Sequence, residues 1–247
     1  HCYLDADFRG GFRTDELDTN QCKKVIDQIA EVNPNAFLIL TGGEPLLRPD
    51  IYELIRYAAD KKFMVVLGTN GTLINEVNAK KIKAAGAHGV GISIDSMDAT
   101  KHNKFRGVSG AWEHSMEAFN VLNEVGVDFL IQMSVSDMNY REIPDVVAFT
   151  EKIGAIAFNL YFLVCTGRGQ GNTDISNEAY EEALKMLYEQ QMKYKGRLMI
   201  NSKCAPQYKR VVYENDPDSV YTRTYSGGCP AGTHYSRISP EGNMTPC

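Results

Sequence analysis

The chain is poor in cysteine, has no long hydrophobic run and carries no excess of positive charge. Six cysteines in 247 residues are too sparse for a disulfide scaffold, which crowds its cysteines into a short secreted domain. No stretch approaches the ~20 apolar residues of a membrane-spanning helix. No signal or transit peptide is visible in a chain that begins HCYLDAD without an initiator Met, and a segment upstream of His1 would hide one. With 26 Lys and Arg against 31 Asp and Glu, the formal net charge is −5. That balance argues against a nucleic-acid or anionic-membrane surface as the main business. Low-complexity tracts are absent. What remains is ordinary for a globular protein: 43% hydrophobic and 23% charged residues, in a length that can bury a sizeable core.

Short β-branched apolar runs alternate with helical patterns. Strands are expected at 36–40 (AFLIL), 63–67 (FMVVL), 89–94 (GVGISI), 129–135 (FLIQMSV) and 157–164 (AFNLYFLV). Helices are expected at 20–31, 49–61, 76–85, 110–125, 141–153 and 177–194. The strands recur every ~26 to 40 residues, the length of a βα unit with its crossover helix. Near-continuous apolar strands suit a parallel sheet covered by helices. Repeating β then α predicts either a (β/α) barrel or a doubly wound sheet. After Val164 the rhythm breaks at TGRGQGNT, and from about Leu198 the text is short, polar and irregular. The expected division is a barrel-like core over 1–170, a helical and irregular bridge over 171–228, and a small module starting at Cys229.

In parallel α/β folds ligands sit at the carboxyl ends of the strands, so the residues after each strand carry the functional reading. The first expected strand runs into TGGEP. Gly42 and Gly43 let the backbone approach a ligand, and Glu44 at the strand mouth suits an ammonium group; a Gly-Gly turn leading to a helix-start Glu explains the same residues. The second runs into GTNGT, where Thr69 and Asn70 can bond a ribose or carboxylate, or form a common turn. The third runs into ISIDS. Ser93 and Asp95 alternate, so a strand would point both to one face. Asp95 is then a loop anchor or a hydroxyl acceptor. Arg106, expected in a loop, is a bidentate clamp for a carboxylate or a surface ion-pair partner. Three consecutive strand ends thus supply an ammonium acceptor, a polar turn, a hydroxyl acceptor and a carboxylate clamp. Together they describe a site for an amino acid attached to a nucleoside.

TGGEP, TNG, SxD and HNKFRG in this order resemble the radical S-adenosylmethionine (SAM) enzymes. In that family a CxxxCxxC loop, commonly ending CxHCY or CxxCY, binds a 4Fe-4S cluster. The opening HCY resembles that ending and makes Cys2 the third cluster cysteine, with the first strand and the other two cysteines upstream of His1. Three thiolates leave one iron open, which the amino and carboxylate groups of SAM occupy. An electron from the cluster then cleaves the sulfonium bond and gives a 5′-deoxyadenosyl radical. The resemblance implies that Gly42, Gly43 and Glu44 hold the methionyl amine. It places Ser93 and Asp95 at the methionyl or ribose end, Arg106 on the methionyl carboxylate, and Thr69 and Asn70 on the ribose side. It implies a partial, open (β/α)6 barrel.

The tail reads Cys229, twelve residues, Gly242, four residues, Cys247. This is similar to the opening of the SPASM extension, a C-terminal module that binds auxiliary iron–sulfur clusters and would continue beyond Cys247. Cys204, in NSKCAPQYKR, is a further candidate cluster ligand or a structural residue. Cys165 faces substrate or packs, with packing favoured, and Cys22 lies in a helical pattern as a small hydrophobe. FLVCTGRG, SKCAPQYKR and the tail look most like the radical SAM proteins of haem d1 synthesis and of the alternative, sirohaem-derived haem pathway. These act on tetrapyrrole side chains. Lys203, Lys209, Arg210, Arg223 and Arg237 then either pair with propionate and acetate carboxylates or form a solvated basic surface. No catalytic acid or base for the substrate step is identifiable. The resemblance implies a cytoplasmic enzyme fed by a flavodoxin or ferredoxin, binding neither nucleic acid nor membrane. A SPASM maturase of a ribosomal peptide or a sulfatase is the alternative substrate reading. A non-catalytic iron–sulfur scaffold is the third, and the SAM-pocket motifs speak against it.

Overall fold

The computed structural model describes residues 15–163, 175–219 and 229–247. Six strands lie in one sheet: β1 (Phe37–Leu40), β2 (Met64–Thr69), β3 (Gly89–Ser93), β4 (Phe129–Val135), β5 (Ala157–Phe162) and β6 (Met199–Lys203). Every neighbouring pair is parallel, and the order across the sheet is the order along the chain. A doubly wound sheet reverses its strand order at a switch point. Here no reversal occurs, so right-handed crossovers all return on the same side. The result is a half-barrel with helices outside, which resolves the choice that periodicity leaves open.

The helices are α1 (Thr19–Val32), α2 (Ile51–Asp60), α3 (Glu76–Ala84), α4 (Ala99–Arg106), α5 (Ala111–Val125), α6 (Ile143–Lys152), α7 (Asn177–Lys193) and α8 (Tyr208–Asn215). Local chemistry sets several boundaries. Asp18 caps α1 with a capping box, accepting from Gln21 N while the Gln21 side chain accepts from Asp18 N. Asn75 caps α3 and Ser176 caps α7 in the same N-cap manner. Gly107, at φ +70°, ends α4 in the left-handed conformation that only glycine adopts without cost.

The two faces of the sheet differ, as period-two alternation requires. Val65, Leu67, Val90, Ile92, Ile131, Met133, Phe158 and Leu160 are fully buried and pack with α-helical residues in one core. The alternate residues face the concave side and are covered unevenly: in β4 Leu130, Gln132 and Ser134 are only partly covered, whereas Val66 and Asn159 are buried. Register sets Ser93 beside Gln132, Gln132 beside Asn159, and Asn159 beside Asn201. A polar row thus crosses four strands on the concave face.

The five expected strands are present within one or two residues of their expected ends. Three elements differ from expectation. Residues after Leu198 were expected to be irregular, yet Met199–Lys203 is the sixth parallel strand, paired with β5 from Ala157↔Met199 to Tyr161↔Lys203. Only Ile200 of MINSK is deeply buried, so the strand has no apolar run to announce it. Arg106 was expected in a loop but closes α4, an eight-residue helix with little apolar surface. The third is α8, a helix that the sequence pattern does not announce. At the C-terminus, β7 (Arg237–Ile238) and β8 (Met244–Thr245) form a short antiparallel hairpin. Its turn places Gly242 at φ +90°, and a Cβ there would meet the Leu17 side chain at 3.2 Å. Leu17 N donates to Pro240 O at 2.7 Å, which ties the hairpin to the entry of α1. Among the described residues, no helix is long and apolar enough to cross a membrane.

Candidate functional site

At the carboxyl end of the sheet the loops after β1 and β2 form one hydrogen-bonded unit. Glu44 caps a 3-10 turn (Pro45–Leu47) by accepting from Leu46 N at 3.1 Å. The same carboxylate accepts from the Thr69 hydroxyl at 2.7 Å and from Asn70 N at 2.9 Å. Burial pushes the Glu44 carboxyl above the ordinary carboxylate range, and the donors from Asn70, Thr69 and Leu46 pull it back. Glu44 is thus the clamp that sets the TGGEP loop against the TNG turn. Thr69 is 5% exposed; its hydroxyl donates to Glu44 and accepts from Gly71 N, so it is consumed inside this unit. The Asn70 side-chain oxygen holds the turn through Thr72 N and the Thr72 hydroxyl. Beside this clamp the space next to Gly42 is open, with no atom within 4 Å of the position a Cβ would take.

A second network follows β3. The strand ends at Ser93, so the alternation expected to carry Asp95 to the same face stops short of it. Asp95 is 1% exposed. One carboxylate oxygen accepts from Ser134 N at 2.9 Å, and the other is ion-paired to Arg106 Nε. Asp95 N donates to His102 Nδ1 at 3.2 Å, and Asp95 O accepts from the Asn139 side chain at 2.8 Å. Asp95 is the loop anchor of the two roles open to it, and it holds Arg106 in place. The Arg106 Nη groups have no partner among the described residues, and the side chain is 20% exposed, which leaves donors of the guanidinium fork uncommitted within the protein. Burial drives His102 from 6.5 down to about 4, against the pull of the Asp95 charge. The loop is further fixed by Glu142, which accepts from the Ser96 hydroxyl at 2.6 Å, Met97 N at 3.0 Å and Lys101 Nζ at 2.8 Å.

Ser93 sits between the two networks, half-covered on the concave face, its hydroxyl unpartnered among the described residues. Next to it Gly91 leaves room for the Gln132 side chain, which would lie 3.0 Å from an added Cβ.

Three exposed cysteines distant in sequence influence one another electrostatically. Partial burial raises the Cys204 thiol, and the neighbouring charges of Cys247 and Cys229 raise it further. Cys204, Cys229 and Cys247 are free thiols. Among the described residues no three His, Cys, Asp or Glu side chains are close enough to hold a single metal ion. A 4Fe-4S cluster asks for something else: its thiolates bind separate irons, so they stand apart while still feeling one another's charge. Cys204 adopts φ +59°, which is unusual for a non-glycine residue and marks a constrained position. Cys2, Cys165 and Arg223 lie outside the described residues. Cys22 is half-buried on α1, its thiol raised by burial, and takes no part in the site.

The basic residues of the C-terminal half divide. Arg210 is committed to Glu181 and Glu214 on the helical exterior, and Lys209 and Arg237 are each engaged within the protein. Lys203 is half-covered at the end of β6, and burial lowers its ammonium below the ordinary lysine value. His102, Ser134, Asn139 and Glu142 also take part in the site. Only Ser134, inside the apolar run FLIQMSV, stood out by its polarity; the other three lie in polar stretches that give no signal.

The radical SAM superfamily description matches residues 1–150 of this chain. The AdoMet-dependent heme synthase of Methanosarcina barkeri is 37% identical over 94% of the chain and 68% of that protein. The pre-heme d1 synthase of Dinoroseobacter shibae is 31% identical over 90% of the chain and 53% of that protein. Among solved structures, Streptococcus suis SuiB bound to S-adenosylmethionine superposes with a TM-score of 0.77 over the whole chain and 56% of SuiB, at 18% identity, a likeness of fold. Sequence match, half-barrel and strand-end loops agree: the chain belongs to the radical SAM superfamily.

Proposed function

We propose that this chain is the core of a radical SAM enzyme that modifies tetrapyrrole side chains in haem d1 or sirohaem-derived haem synthesis. When bound, the 4Fe-4S cluster and SAM supply a 5′-deoxyadenosyl radical for hydrogen abstraction. The chain's residues supply binding and orientation. The open backbone at Gly42 and Gly43 takes the methionyl amine, in a loop shaped by Glu44 and Thr69. The free Nη side of Arg106, held by Asp95, takes the methionyl carboxylate. The unpartnered Ser93 hydroxyl reaches the methionyl or ribose end, and the Asn70 side-chain amide is a ribose-side contact. An amino acid joined to a nucleoside fits this set of donors and acceptors. Cys2 is the proposed ligand of the SAM cluster.

Cys204, Cys229 and Cys247 are the proposed ligands of an auxiliary iron–sulfur cluster. The electrostatic influence of Cys229 and Cys247 on Cys204, which follows β6, supports this reading, as does the constrained backbone of Cys204. We place the auxiliary module from Cys229 onward, with the SAM-binding core over 1–170 and a bridge between them that also contributes the sixth strand. A flavodoxin or ferredoxin is the proposed reductant.

The observation that carries the substrate class is 37% identity across nearly the whole chain to proteins named AdoMet-dependent heme synthases. The test uses the complete protein, reconstituted anaerobically with iron and sulfide. Under reductant, 5′-deoxyadenosine release from SAM should rise with a sirohaem-derived tetrapyrrole, with loss of side-chain mass. Release indifferent to the tetrapyrrole would move the substrate to a peptide. No release would point to a scaffold.

A further inference from the structure

A tetrapyrrole of this pathway carries several carboxylates, and the β5–β6 edge of the concave face is built to receive one. Register pairs Lys203 with Tyr161. Two residues earlier, Asn201 donates its side-chain amide to Asn159 at 3.0 Å, which shows that these side chains share a face. Period-two alternation puts Lys203 on that face as well. Lys203 is the last residue of β6, at the carboxyl end of the sheet, where ligands of parallel α/β folds bind.

Its surroundings set Lys203 apart from other cations. Arg210 pairs with Glu181 and Glu214, Arg197 with Glu151, and Lys101 with Glu142. No acceptor among the described residues reaches Lys203 Nζ, although the side chain is partly withdrawn from water. A charge drawn out of water without a partner is unfavourable, and such local conflicts concentrate where a ligand completes the set. We infer that Lys203 anchors a carboxylate of the tetrapyrrole substrate on the concave face, with Asn201 and Tyr161 at its sides. This rests on the tetrapyrrole reading above. It assigns the carboxylate-binding role to one of the five basic residues singled out in the sequence.

The test compares the complete, cluster-loaded protein with Lys203→Met and Lys203→Arg. The probes are iron coproporphyrin III, which carries free propionates, and its methyl ester, each followed by the Soret absorbance change on binding. Lys203→Met should lose ~10-fold in affinity for the free acid, the worth of one charge-assisted hydrogen bond, and nothing for the ester. Lys203→Arg should retain most of the affinity. The melting temperature of Lys203→Met should not fall, because an unpartnered charge has been removed. Equal loss for acid and ester, or no loss for either, would overturn the inference. So would a shift in the auxiliary cluster's midpoint potential with an unchanged acid-to-ester ratio, which would assign the charge to the cluster beside Cys204. If the unsubstituted protein binds neither probe, the tetrapyrrole reading itself fails and takes the inference with it.

Discussion

His102 makes the stability of the SAM-side loop depend on pH in a calculable way. The imidazole is 1% exposed on α4 and accepts a hydrogen bond from Asp95 N, so it must be neutral in the folded chain. Its native pKa lies at about 4, against 6.5 when free. A depressed native value means that the unfolded chain takes up the proton first. The contribution is therefore intact above pH 6.5 and is lost as pH falls toward 4. At ~1.36 kcal/mol per pH unit, stability should fall by about 2 kcal/mol between pH 7.5 and pH 5 from this residue alone. Protonation would also remove the acceptor for Asp95 N and loosen the seat of Arg106. The assay is anaerobic urea unfolding from pH 7.5 to 5 for the unsubstituted protein and His102→Asn, whose side chain has an acceptor but does not titrate. Other titrating groups act on both proteins and cancel in the difference. The stability advantage of the unsubstituted protein should shrink by about 2 kcal/mol across that range. An advantage that stays constant, or grows as pH falls, would refute the reasoning.

Three further outcomes follow from the same geometry. Arg106→Met leaves the buried Asp95 carboxylate facing Ser134 N without its ion pair. It should lower unfolding free energy by about 2–4 kcal/mol, below the full cost of a broken buried pair because the arginine site admits some water, and equilibrium dialysis should show SAM binding falling with it. Glu44→Gln puts a donor amide in place of one of the two carboxylate oxygens that together accept from Leu46 N, the Thr69 hydroxyl and Asn70 N. We expect a loss of about 1–3 kcal/mol in urea unfolding, and weaker SAM binding as the TGGEP loop and TNG turn separate. Substituting Cys204, Cys229 or Cys247 by Ala should each reduce iron content by the same amount, about one cluster per chain. Unequal losses in iron assay would separate Cys204 from the other two.

Much of the scaffold is legible along the chain. FMVVL and FLIQMSV announce strands because one of their faces is sealed under helices and the other lines a half-open barrel; AFLIL is as apolar, although it is only half covered, with Phe37 and Ile39 exposed. MINSK does not announce β6, since its concave face carries Met199, Asn201 and Lys203 and only Ile200 enters the core. For the same reason ATKHNKFR hides α4, whose termini are set by Asp98 and Gly107 rather than by an apolar stripe. The candidate residues after the strands were legible as residue types. Their division of labour was not, because hydrogen-bond partners 25 to 44 positions away decide it, as between Glu44 and Asn70 or Thr69 and between Asp95 and Ser134 or Asn139.

The sequence by itself determined the alternation of strand and helix, the parallel sheet, the loops that bear the chemistry and the superfamily, since period, turn residues and short motifs are local properties. Only the tertiary structure decided that the strands run in unbroken order to make a half-barrel and that Asp95 stands behind Arg106. It alone left Lys203 without a hydrogen-bond acceptor among the described residues. Those facts depend on which distant groups share a site, and burial there decides whether a polar group finds its partner within the protein.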